Sequence, residues 1–216
     1  MEIDIAFLLS QSILLPIIMG LIRFRRMERS YQPFLLLLLI GLAVEIISFF
    51  LIRVNVSNAI PVNIYTLIEC LLVTWQLHVW GFLRQKRPIL IALLIFSILA
   101  WITVNLIFHQ ITQFSPYFRF YYYTLIVLIS VNEINFMITH YNRNLFRNPK
   151  FLICIGFIIY FMYMIVDYWA FEISLFGKKE ISVIISFLMG YVNAFTNIIY
   201  ATAFLLIPKP QKFTLD

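Results

Sequence analysis

The chain has 216 residues, 62% of them hydrophobic and only 12% charged, with a formal net charge of +6 and a sequence pI near 9.4. Ordinary globular domains carry about 45–50% apolar and about 25% charged residues, and a soluble protein this apolar could not cover its surface. The basic balance does not indicate nucleic acid: the cations form no patch with interleaved aromatics but fall in short clusters between apolar runs, the pattern of a membrane protein oriented by its loops.

The first apolar run lies near 5–22. It is preceded by Glu2 and Asp4 in place of a positive leader and carries no small-residue cleavage site, so it is expected to stay in the bilayer as a helix. Pro16 is the one proline inside a predicted helix and should kink it. Further runs, each long enough at about 20 residues to cross a bilayer, lie near 33–52, 61–81, 88–110, 116–139, 150–172 and 180–207. Pro33, Pro61, Pro88, Pro116 and Pro149 stand at their starts, where a missing N–H costs nothing. Pro208 and Pro210 close the last run, and the final residues, Phe213-Thr214-Leu215-Asp216, carry no lipidation motif. The expected architecture is an all-α membrane protein: a single transmembrane domain over 1–216, a seven-transmembrane-helix bundle with no soluble domain.

Lys and Arg orient the bundle. Arg23, Arg25, Arg26, Arg29, Arg84, Lys86, Arg87, Arg143, Arg147, Lys150, Lys209 and Lys212 share one side, against Arg53, Arg119, Lys178 and Lys179 on the other. Twelve against four predicts that the first set is cytoplasmic, which places the N-terminus outside and the C-terminus in the cytoplasm. Tyr117-Phe118-Arg119-Phe120-Tyr121-Tyr122-Tyr123 then reads as an outer aromatic belt. Short loops and richness in Ile, Phe, Asn and Tyr are compatible with a bacterial inner membrane.

Orientation assigns depths. Cys70 falls about nine residues below the outer end of the third helix and Cys154 near the inner end of the sixth, more than about 10 Å apart along the membrane normal, too far for a disulfide. Four carboxylates lie within the hydrocarbon, where ionisable groups are functional candidates: Glu45, Glu69, Glu133 and Asp167. No Lys or Arg lies deep in a predicted helix to pair with them. Glu45 and Glu69 are each roughly 11–12 Å below the outer surface on consecutive antiparallel helices. Asp167, Gln11, Asn105 and Ser186 fall at similar depth, and a polar layer in the outer half follows if these side chains face inward. On the third helix Tyr65, Glu69, Gln76 and Trp80 share one stripe, and on the second Gly41, Glu45 and Ser48 do the same. Glu45, Glu69, Asp167, Gln11, Asn105, Tyr65 and Gln76 are therefore the candidate lining of an outward-facing acidic polar pocket, in which clustered carboxylates would share protons. The alternative is that each carboxyl is hydrogen-bonded to Asn, Gln or Tyr and simply joins helices.

The seventh helix carries Ser182, Ser186, Gly190, Asn193, Ala194, Asn197 and Ala201 at intervals of three or four. Small residues let backbones approach and asparagines bond across helices, so Gly190, Asn193, Ala194 and Asn197 are assigned to packing. Glu133 is deeper, and a bond to Asn193 or Asn197 is expected. His78, His109 and His140 lie at different depths, with no H-x-x-x-H or H-E-x-x-H spacing, so no metal site is assigned. No G-x-S-x-G, no Ser–His pair at one depth and no phosphate-cradling glycine loop occurs. A retinal Schiff base would need a lysine within the seventh helix, and none lies between Glu180 and Pro208. No cofactor is assigned, and an enzyme is disfavoured. The composition leaves a receptor-like or accessory component of a membrane complex, whose basic cytoplasmic loops meet a protein partner or anionic lipid. The alternative is a small transporter or channel for a cation, proton or amine. Six glycines and one interior proline suggest unbroken helices, which lowers the second reading.

Overall fold

The computed structural model describes residues 9–81, 86–108, 110–113, 116–140, 144–174 and 179–207, with the side chains at 26, 110, 171–174, 179, 181, 182 and 186 outside that description. Among the described residues there is no strand. The helices are α1 (Gln11–Arg23), α2 (Arg29–Arg53), α3 (Ala59–Trp80), α4 (Arg87–Ile107), α5 (Pro116–His140), α6 (Pro149–Ser174) and α7 (Lys179–Leu206). Six of them, α2 to α7, are long and apolar enough to cross a membrane. The chain is a helical multi-pass membrane protein. Within the described residues the apolar α1 is shorter: its 13 residues reach about 20 Å, against a hydrocarbon core of about 30 Å.

Proline placement explains the helix starts. Pro33 and Pro88 occupy the first turns of α2 and α4, and Pro116 and Pro149 open α5 and α6. Within α1 the backbone is 3₁₀ over Gln11–Ile13 and α-helical from Leu14. The change of winding falls just before Pro16, which has no N–H to close the ladder onto Ser12. A second irregularity is a π-helical turn at Thr103–Ile107 in α4.

Helices successive in sequence run in alternating directions, and contacts at the two ends show how they close. At the end carrying Arg23, Arg25 and Arg29 (the basic end), Gln76 Nε2 and Trp80 Nε1 both donate to the Ser30 carbonyl, at 2.6 and 3.1 Å. Arg23 Nη1 there donates to the Ile207 carbonyl at 3.2 Å, joining the last turns of α1 and α7. At the opposite end α2 and α3 are joined by a short turn through Asn55, whose positive φ of 56° asparagine tolerates. Asn63 near the start of α3 donates to the carbonyls of Ile111 and Gln113, at 3.0 and 2.6 Å. Packing pairs α1 with α2, α2 with α3, α3 with α5, α5 with α6, α6 with α7 and α7 with α1, a closed ring of six; α4 lies outside it and packs mainly on α3.

The core of this ring is aromatic. Phe34, Phe157, Tyr200 and Phe204 meet near the basic end, with Phe34 edge-on to Phe157 and Tyr200 at 5.6 and 5.0 Å and stacked on Phe204 at 5.5 Å. Cys70 and Cys154 are free thiols with zero exposure.

Candidate functional site

Above that aromatic cluster the ring does not fill. A cavity of about 930 Å³ lies between α1, α2, α3, α6 and α7. It runs from the exposed Arg53 and the neighbouring Asn58 at the turn end down to Phe34 and Tyr200. The volume lies at the upper end of ligand pockets, which span about 300–1,000 Å³.

Helical spacing puts its two carboxylates on one wall. Gly41, Glu45 and Ser48 of α2 and Tyr65 and Glu69 of α3 all line the space. At Gly41 a Cβ would lie 3.0 Å from the Tyr65 hydroxyl, so the two helices approach closely there. One turn apart on α3, Tyr65 reaches Glu69 and donates to Oε1 at 3.0 Å. From α5 the buried Tyr122 donates to Glu69 Oε2 at 2.7 Å. Both oxygens of Glu69 are thus engaged, and the side chain is 7% exposed. Glu45 is half-buried and hydrogen-bonded to Ser10 of the first helical segment, while its Oε2 is buried with no hydrogen-bond partner among the described residues. Asn193, Thr196, Asn197 and Tyr200 form the α7 wall; Phe157, Tyr160 and Phe161 form the α6 wall.

The structure therefore brings Glu45, Glu69 and Tyr65 together at one cavity. The other four candidates of the polar layer do not line it. Gln76 shares the stripe of Tyr65 and Glu69, but it is two turns deeper, about 10 Å, and its amide is committed to Ser30 at the basic end. Asn105 is buried in the π-helical turn of the peripheral α4 and donates to the Trp101 carbonyl at 3.1 Å. Asp167 is half-buried on α6 and interacts electrostatically with Tyr123 of α5 and Tyr163 of its own helix. Gln11 is half-buried with a weak 3.5 Å contact to the Ser10 hydroxyl, and it is Ser10 that meets Glu45. The cavity wall is thus aromatic and aliphatic with two carboxylates, more than a continuous polar layer.

On α7, Asn197 donates to Ser12 of α1 at 2.9 Å, joining two helices, and to Asn193 Oδ1 of its own helix at 3.2 Å; both asparagines face the cavity. Gly190 sits against Leu9, whose Cδ1 would be 3.0 Å from a Cβ, and Ala194 is half-buried beside them. Glu133, for which a bond to these asparagines was expected, is 3% exposed and lies against Gly81, where a Cβ would run into its carboxylate. Ser186, Ser182, His109 and Lys178 lie outside the described residues or side chains. Among the described residues no three His, Cys, Asp or Glu side chains converge to hold a metal ion.

The sequence reading also missed Arg119. Assigned to the outer belt, it turns its side chain inward: Nη2 donates to Asn63 Oδ1 at 3.5 Å, and its charge acts on Glu69. A long guanidinium stem lets a residue near a helix start reach groups a turn or two deeper, which counting helix positions does not capture. Tyr122, Tyr160, Tyr200 and the phenylalanines of the wall were missed as well. Their spacing on α6, with Phe157, Tyr160 and Phe161 at i, i+3 and i+4, was a signal, but in a membrane helix apolar rings on every face dilute it.

Compared with protein-family models, with curated proteins and with solved structures, the chain matches none.

Proposed function

We propose that this protein is a receptor-like or accessory membrane component whose helical bundle holds a small ligand in the cavity between α1, α2, α3, α6 and α7. The observation that carries this reading is the cavity itself: its size suits a small organic molecule, most of its wall is apolar, and a few polar groups converge at Glu45 and Glu69. In this reading α1 is a seventh crossing near 5–22, the basic end faces the cytoplasm and the cavity opens outward. The membrane is the plasma membrane, taken as a bacterial inner membrane. Exposed Arg25 and Arg29 then offer contacts for a protein partner or anionic lipid. Arg23 is committed to the end of α7 and serves the fold.

The test is ligand-dependent stabilisation. Purified protein in nanodiscs is screened by thermal melting against small amphiphilic molecules. Compounds that raise the melting temperature of the wild type should have no effect on Ser48→Phe, which fills the cavity from the α2 wall. Equal stabilisation of both proteins, or none of the wild type, would count against the cavity as a ligand site.

The transport alternative uses the same carboxylates for coupling, and Glu69 in a ring of helices is the observation in its favour. It predicts cation or amine flux into proteoliposomes that Glu69→Gln abolishes, and flux that survives this substitution removes the coupling role. The aromatic closure at Phe34, Phe157, Tyr200 and Phe204 favours the receptor reading, because it walls off the cavity from the basic end.

A further inference from the structure

The two cavity carboxylates have unequal surroundings. Glu69 is engaged from both sides by Tyr65 and Tyr122, and the Arg119 charge acts on it. Its hydrogen-bonding capacity is largely used by the protein. Glu45 receives Ser10 alone as a hydrogen-bond partner, and its Oε2 is buried with none among the described residues. The nearer cation on its own helix, Arg53, is eight positions away, about 12 Å along the axis, with its guanidinium over the Phe49 ring at 4.4 Å from the centroid.

A carboxylate oxygen at hydrocarbon depth without a donor is costly, so whatever fills the cavity gains by bringing one. The surrounding wall narrows the kind of donor. A bare metal ion needs several oxygen ligands, whereas the cavity that Glu45 lines carries the rings of Tyr65, Tyr160, Phe161 and Tyr200, of which Tyr65 and Tyr160 feel the charge of Glu45. Aromatic faces attract an organic cation through the ring quadrupole and also bury its apolar body. An ammonium supplies both the N–H donors and the positive charge.

We infer that the cavity takes an organic ammonium ion with an apolar body, its N–H groups on Glu45 and its body among the aromatic rings, with Glu69 as a positioning residue that holds Tyr65 in the wall. This rests on the cavity being a ligand site, as proposed above. The ligand class is set by Glu45: among the described residues it is the cavity-lining carboxylate with an oxygen that has no hydrogen-bond partner.

The experiment compares two probes of nearly equal shape, phenethylamine and the neutral 2-phenylethanol, by equilibrium binding to the full chain in nanodiscs. Wild type should bind the amine at least about tenfold tighter than the alcohol, a difference of roughly 1.4 kcal/mol. Glu45→Gln should abolish that preference by weakening the amine, and Glu45→Asp should retain most of it, which separates loss of charge from loss of folding. Equal affinities for the two probes in the wild type, or an undiminished amine preference in Glu45→Gln, would overturn the cation assignment while leaving a ligand cavity. If neither probe binds, the cation assignment also falls, and the melting screen against Ser48→Phe decides separately whether the cavity binds ligands at all.

Discussion

Asn63 shows how one polar side chain organises a membrane bundle. It has zero exposure, donates to two carbonyls of the 110–113 segment, and faces Arg119 through its own carbonyl oxygen. Its backbone carbonyl meanwhile accepts Trp101 Nε1 and Thr66 Oγ1, at 2.8 and 2.7 Å. Leaving buried polar groups without partners costs about 1–3 kcal/mol. Asn63→Ala should therefore lower stability by roughly that amount, seen as a fall of several degrees in the melting temperature. A change within error would mean the carbonyls of Ile111 and Gln113 are satisfied by water instead. The sequence placed Asn63 at the start of a helix and nothing more, because its partners are 48 and 50 residues away.

At the scale of elements, the closest approach between helices lies elsewhere than in the stripe of small residues on α7. Gly156 of α6 faces the Tyr200 ring so closely that a Cβ would collide with it. At Gly190 the neighbour is a Leu9 methyl at 3.0 Å, the mobile end of a side chain. Overpacking a close contact costs about 1–3 kcal/mol. Gly156→Ala should therefore destabilise clearly more than Gly190→Ala, measured side by side by thermal melting. The reverse order would show that Tyr200 moves aside freely, although it is held between Phe34 and Phe157 at 5.0 and 5.8 Å. Periodicity identified the α7 stripe from spacing alone. Gly156, a lone glycine in an apolar run, offered no pattern, since what makes it necessary is a ring on another helix.

For the whole molecule, orientation is open to direct test. Cys70 and Cys154 have zero exposure, so a wild-type background should be silent to a membrane-impermeant maleimide. Val56, in the α2–α3 turn, and Glu28, before α2, are exposed at opposite ends of the bundle. With the basic end cytoplasmic, Val56→Cys should be labelled on intact cells and Glu28→Cys only after permeabilisation. The opposite result would invert the bundle and point the cavity towards the cytoplasm.

The sequence by itself determined the solvent, the helical class and the positions of the long apolar helices, because these depend on local quantities: apolar length, the placement of proline, and composition. It also placed Glu45 and Glu69 at one depth, since rise per residue along a helix is constant, and Tyr65 on the stripe of Glu69. Only the tertiary structure decided which of the residues at that depth meet. Depth is one coordinate of three; rotation about each helix axis and the neighbour it faces depend on packing between helices distant in sequence. Hence Asp167, Asn105 and Gln11 share the predicted layer without lining the cavity, while Tyr122, Tyr160 and Arg119 turn their side chains to Glu69 or its wall. The seven apolar runs follow from the chain alone; the ring of six helices with α4 outside, and the space it leaves around Glu45 and Glu69, follow from how their side chains fit.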